Sequence, residues 1–103
     1  MCKVADMQAC CDFSLETPGG QRFDGLMAGI CRRVSEGEPL AVAFDNEGIS
    51  RSHGFCMVRD FEKSFGQDLF TRKRGCGSFI TPAGRDLLHR YTEMQRKIAS
   101  CLT

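Results

Sequence analysis

Two apolar stretches of helical period, parted by a tight glycine turn, constrain what this chain can fold into more than any other feature. Leu40, Ala41, Ala43 and Phe44 make a short helix that is expected to end near Gly48, with Ile49 following. Ser50 is then a good N-cap, because its hydroxyl can accept from an orphan backbone N–H of the next first turn. Beyond it Gly54, Val58, Phe61 and Phe65 recur at spacings of 4, 3 and 4 before Gly66 stops the pattern. Two short helices joined by such a turn form a helix-turn-helix pattern, and their apolar stripes must be buried against further elements.

The flanking sequence supplies those elements. Across residues 21–35, Phe23, Leu26, Met27, Ile30, Cys31 and Val34 fall on one helical face. Glu36-Gly37-Glu38-Pro39 ends that helix, with glycine as its C-terminal cap and proline opening the next helix. Upstream, residues 11–16 alternate weakly through Phe13 and Leu15, which suits a short strand, and Thr17-Pro18-Gly19-Gly20 makes a turn. Downstream, Leu69-Phe70-Thr71-Arg72 reads as a strand, residues 73–77 as a turn and Ser78-Phe79-Ile80 as the returning strand. Thr81 caps a last helix that Pro82 opens, in which Leu87, Tyr91, Met94, Ile98 and Cys101 step by 4, 3, 4 and 3, the a/d spacing of a short coiled coil.

This order predicts one α+β, mainly α domain. It is a winged helix-turn-helix with a short N-terminal strand, a β-hairpin wing and a long C-terminal dimerisation helix. Residues 1–11 are expected to be a flexible N-terminal arm, 12–81 the winged helix-turn-helix DNA-binding domain and 82–103 the dimerisation helix. At 103 residues with 42% hydrophobic residues and eight Phe, the chain can bury a core. A formal net charge of +1 argues against a nucleic-acid partner until it is divided along the chain. Residues 1–20 and 21–49 each carry −2 and residues 50–103 carry +5, so the C-terminal half is a basic surface candidate.

The residues of that half carry a family resemblance. Ile49-Ser50-Arg51-Ser52, the pairs Phe61-Glu62 and Phe65-Gly66, then Leu69-Phe70-Thr71-Arg72 and Ile80-Thr81-Pro82-Ala83-Gly84, resemble the N-terminal domain of LysR-type regulators. Over residues 12–100 the chain is similar to the DNA-binding domain of ModE-type molybdate-responsive regulators, through Phe13-Ser14-Leu15-Glu16, Gly48-Ile49-Ser50 and Leu88-His89-Arg90-Tyr91. The resemblance implies a bacterial-type transcription regulator that binds double-stranded DNA as a homodimer. Phe55 stands where ModE-type proteins usually carry Trp, and Arg72-Lys73-Arg74 stand where their wing carries glycines. With the last residue at Thr103, the effector domains of both families are expected to be absent, and molybdate sensing is not carried over.

If Gly54, Val58, Phe61 and Phe65 face the core, the opposite face of the third helix presents Arg51, Ser52, Phe55, Cys56 and Arg59. Residues at the start of such a helix reach base edges, and an arginine bidentate to guanine O6 and N7 discriminates by about 1–3 kcal/mol. Ser50 and Ser52 suit phosphates at the helix N-terminus, and His53 reads as a surface or phosphate-contacting residue rather than a metal ligand. Arg72, Lys73 and Arg74 sit where a wing meets the DNA backbone. Leu87, Tyr91, Met94, Ile98 and Cys101 are the expected dimer interface, and two copies of the third helix predict a palindromic operator.

Three other readings compete. Seven cysteines without a Cys-x-x-Cys pair give a weak zinc signal, so no metal and no cofactor are expected, yet a thiol-based metal or redox effector stays open. Cys31 and Cys56 are expected to be buried or half-buried. A winged-helix protein–protein adaptor is the runner-up, with Phe55-Cys56-Met57 as an apolar contact patch. An enzyme is not expected: there is no phosphate-binding glycine loop, and His53 beside Cys56 on an exposed helix lacks an orienting third group. The absence of an apolar run of about 20 residues and of a leader-like N-terminus points to a cytoplasmic protein with no membrane partner.

Overall fold

The computed structural model describes residues 14–73 and 77–102. Over these it is a small α+β fold, mainly helical, with four helices and two two-stranded antiparallel sheets. The expected 1–11 arm, Phe13, Cys2, Cys10, Cys11, Arg74 and Cys76 lie outside the described residues.

β1 (Leu15–Glu16) pairs antiparallel with β2 (Arg22–Phe23), Leu15 opposite Phe23 and Glu16 opposite Arg22. The predicted turn closes them. The Gly20 N–H donates to Thr17 O at 2.9 Å, and Gly20 takes φ 89°, a conformation that favours glycine. The pairing corrects the expected helix start at residue 21. Asp24 is extended and its Oδ1 accepts from Met27 N–H at 3.0 Å, so the helix begins only after it. Phe23 is fully buried all the same, delivered to the core by a strand instead of a helix.

α1 (Gly25–Ser35) buries Met27, Ala28, Ile30, Cys31 and Val34 and carries Arg32 and Arg33 in its last turn, where cations oppose the partial negative charge of the helix end. α2 (Leu40–Asn46) follows, with Leu40, Ala43 and Phe44 buried. Pro39 is the N-cap of α2, one position earlier than expected, because its ψ of 147° is extended. Gly48 N–H then donates to Asp45 O and Ile49 N–H to Phe44 O, each at 3.1 Å, and Gly48 takes φ 77°. That paired bonding is a Schellman turn, and it reverses the chain directly into the next helix.

α3 (Arg51–Phe65) has the predicted ends: Ser50 Oγ accepts from His53 N–H at 3.2 Å, and Gly66 closes the helix at φ 84°. Gly54, Val58 and Phe61 are buried and Phe65 packs partly into the same core. Gly54 is needed by its neighbour, since a Cβ there would lie 2.5 Å from Phe44 Cγ. β3 (Phe70–Lys73) pairs with β4 (Gly77–Ile80) in the register Phe70 opposite Ile80 and Lys73 opposite Gly77. Glu62 fastens this hairpin to α3, its Oε2 accepting the N–H of Leu69 at 2.6 Å and of Phe70 at 3.3 Å.

α4 (Pro82–Leu102) starts as predicted, with Thr81 Oγ1 accepting from Gly84 N–H at 3.1 Å. Its first half packs into the domain through Leu87, Leu88 and Tyr91. Tyr91 was expected on the dimer interface. It is instead 6% exposed, edge-on to Phe23 with ring centroids 5.6 Å apart. No helix among the described residues is long and apolar enough to cross a membrane.

Candidate nucleic-acid interface

The exposed surface of α3 collects most of the residues singled out above. Ser50, Arg51, Ser52 and His53 are all exposed at its N-terminal end, and Cys56 and Arg59 continue the same outward face. Local sequence explains the placement. The Ser50 cap sets where the helix begins, and the buried Gly54, Val58 and Phe61 set which way it is turned.

One expected member of the face departs from it. Phe55 is half-buried, because the missing side chain at Gly54 lets α2 approach and the Phe55 ring stands edge-on to Phe44 at 5.0 Å, 87° between planes. Met57 is also partly buried against the core, so residues 55–57 do not form the exposed apolar patch foreseen for an adaptor. Cys56 keeps its place on the face but is exposed, not buried or half-buried as its residue type suggested, because it lies on the outward side between Phe55 and Met57.

One partner was missed. Arg51 donates from Nε to Asp45 Oδ1 at 3.3 Å and from Nη2 to Oδ2 at 2.8 Å, a two-pronged pair reaching back across the Gly48 turn. The hydrogen bond from Arg51 holds the Asp45 carboxyl below its ordinary range, and the same bond raises Arg51. The signal in the sequence was an aspartate one turn before the cap, but its reach to Arg51 depends on the turn geometry.

Ion pairs among the described residues engage three of the arginines of the C-terminal half, and only the Arg51 pair takes its acid from outside that half. Besides Arg51, Arg90 pairs with Asp86 at 3.3 Å and Arg96 with Glu93 at 3.6 Å. On the opposite charge, Glu62 is held by backbone N–H groups. Arg59, Lys63, Arg85 and Lys97 form no ion pair among the described residues. Arg72 and Lys73 belong to strand β3, whose partner strand returns at Gly77. On α4, Leu87 and Ile98 are half-buried, while Met94 is 43% exposed and Cys101 is exposed.

Cys31 is fully buried in α1, and that burial, with Glu62 as a lesser cause, pushes its thiol up from 9.0 to about 12. Among the described residues no group of three or more His, Cys, Asp or Glu side chains is arranged to hold a metal ion. No protein-family model matches this chain, and no curated protein is significantly similar to it.

Proposed function

We propose that this chain is a sequence-specific DNA-binding transcriptional regulator of the winged helix-turn-helix kind. In this reading α3 enters the major groove, the β3–β4 hairpin is the wing that grips the backbone, and α4 joins two copies on a palindromic operator. The observation that carries it is the exposed first turn of α3, with Arg51, Ser52 and His53 outward and Arg59 following, while Gly54, Val58 and Phe61 anchor the other face. In a helix held at a tight helix–helix corner, those N-terminal side chains are the ones that reach base edges. The hydroxyls of Ser50 and Ser52 can each donate to a phosphate at the same end, with Ser50 Oγ still accepting from His53 N–H. Arg72 and Lys73 in strand β3, with Arg74 next in the sequence, support backbone contact, as does the resemblance to ModE-type and LysR-type domains.

Dimerisation is supported by the outer half of α4. A groove beside α4 is lined by Leu15, Leu87 and Met94 together with His89, Arg90, Glu93 and Lys97. An apolar strip with both charge signs beside it suits a symmetric second copy, in which Lys97 can meet the other copy's Glu93.

Selection of bound duplexes from a random DNA pool, followed by affinity measurement across salt, tests the proposal. The expected product is a palindrome bound with affinity that falls steeply as salt rises, by a log–log slope of about −0.9 per phosphate contact. Replacing Arg72, Lys73 and Arg74 together with alanine should weaken binding to all sequences and flatten the slope by about 2–3 units. Absence of binding, or binding without salt dependence, refutes the reading. A monomer by sedimentation at micromolar concentration refutes the palindrome.

A further inference from the structure

The Asp45–Arg51 pair lies in the region assigned above to base reading, and its geometry says what it does there. A guanidinium presents donors along two edges. Asp45 takes one edge with both of its oxygens, through Nε at 3.3 Å and Nη2 at 2.8 Å. The Nη1 side of the fork is left for another acceptor pair. The two side chains come from different helices, Asp45 from the last turn of α2 and Arg51 from the first of α3, so the fork is referred to the corner itself.

We propose that Asp45 is a specificity-determining positioning residue, which holds Arg51 by one edge so that the other is aimed bidentately at guanine O6 and N7. The proposal rests on the DNA-binding reading. Its first support is entropic: an exposed arginine free of Asp45 samples many rotamers, and a pre-set planar fork loses less freedom when it meets a base. Its second support is electrostatic. A lone arginine binds any phosphate, which carries no sequence information. A carboxylate at its back makes the pair neutral and weakens every phosphate contact. The bidentate donor geometry that guanine needs is retained. Stability is a poor rival explanation, because the side chains are 60% and 47% exposed and surface pairs of this kind contribute little. Nor does a neighbour compete for Arg51: Asn46, next along α2, is hydrogen-bonded to Glu38.

The test compares the full-length wild type with Asp45→Asn, Arg51→Ala and the double variant, on the wild-type selected duplex, on its single-base variants and on random duplex. Asp45→Asn should bind random duplex roughly two- to threefold more tightly, with a salt slope steeper by up to about one unit. It should also relax the preference at one guanine about fivefold. Arg51→Ala should abolish the preference at that same guanine, and adding Asp45→Asn to it should change nothing further there. Thermal unfolding of Asp45→Asn should stay near the wild type, so that a changed base preference is not a loss of folding. An Asp45→Asn variant that keeps the guanine preference, or that loses affinity equally for all duplexes, overturns the positioning role while leaving DNA binding intact. A wild type that binds no duplex overturns both.

Discussion

Replacing Gly54 with alanine tests the corner on which the interface depends. At an ordinary mid-helix position this change stabilises by about 0.5–1 kcal/mol, because glycine loses more backbone freedom on folding. Here the added methyl would sit 2.5 Å from Phe44 Cγ and 2.6 Å from each Cδ. Comfortable carbon–carbon separation is about 3.5–4.0 Å, so a gap of roughly 1 Å must open. Phe44 has no room to give: it is 0% exposed, and Phe55 stands edge-on to its ring. Overpacking of this sort costs about 1–3 kcal/mol, which leaves a net loss of about 1–2 kcal/mol after the helix-propensity gain. For a domain of this size that lowers the melting temperature by about 5–15 °C. Combining Gly54→Ala with Phe44→Leu should recover part of the loss, a non-additivity of about 0.5 kcal/mol or more. Thermal and urea unfolding followed by circular dichroism measures all three variants. A Gly54→Ala melting temperature at or above wild type would show that α2 and α3 do not meet there, and the outward aim of Arg51 would lose its basis.

Three further outcomes follow from other parts of the fold. Alkylation of the native protein at pH 8 should label Cys56 and Cys101 and spare Cys31, and Cys31 labelling as fast as theirs would mean that α1 is not packed as described. Because the folded thiol titrates above its unfolded value, its stabilising effect is complete below pH 9 and lost as pH climbs from 9 toward 12; urea midpoints should fall over that range, and less so in Cys31→Ala. Glu62→Ala removes the acceptor for Leu69 and Phe70 N–H and should destabilise by about 1.5–3 kcal/mol. Amide exchange at those two residues should quicken most, and unchanged exchange would refute the latch.

The features legible in the sequence were those whose physics closes within a few residues. Ser50, Gly66 and Thr81 each make their capping bond to a backbone group no more than four positions away, and each sits at its expected helix end. Period alone decided less. Phe23 fits both the apolar stripe of a helix and the inward side of a two-residue strand; the Asp24 cap chooses between them, and its signal was outweighed by six apolar residues in register. Phe55 was placed outward by its angle on the helix. That angle omits what a neighbouring glycine permits, which is a second helix close enough to give the ring a partner. The Asp45–Arg51 pair spans six residues and a Schellman turn, so no helical spacing rule anticipates it.

The last helix shows the same limit with a functional consequence. A 4-3 repeat marks a continuous apolar stripe without saying what covers it, and on α4 the stripe divides. Tyr91 is covered by the chain's own core through the ring of Phe23 and Leu87 is half-covered by it, while Met94 and Cys101 stay exposed. Three seam positions from Met94 to Cys101 span only about two helical turns, too short a strip for the ~1,200 Å² that stable interfaces bury. A dimer built on α4 must therefore also draw on the groove beside Leu15 and Leu87. In such a dimer the second copy would cross the start of the domain's N-terminal hairpin and would not simply continue the terminal helix as a coiled coil. In the proposed function, the distance between the two copies of α3, and hence the half-site spacing of the operator, is set by that crossing.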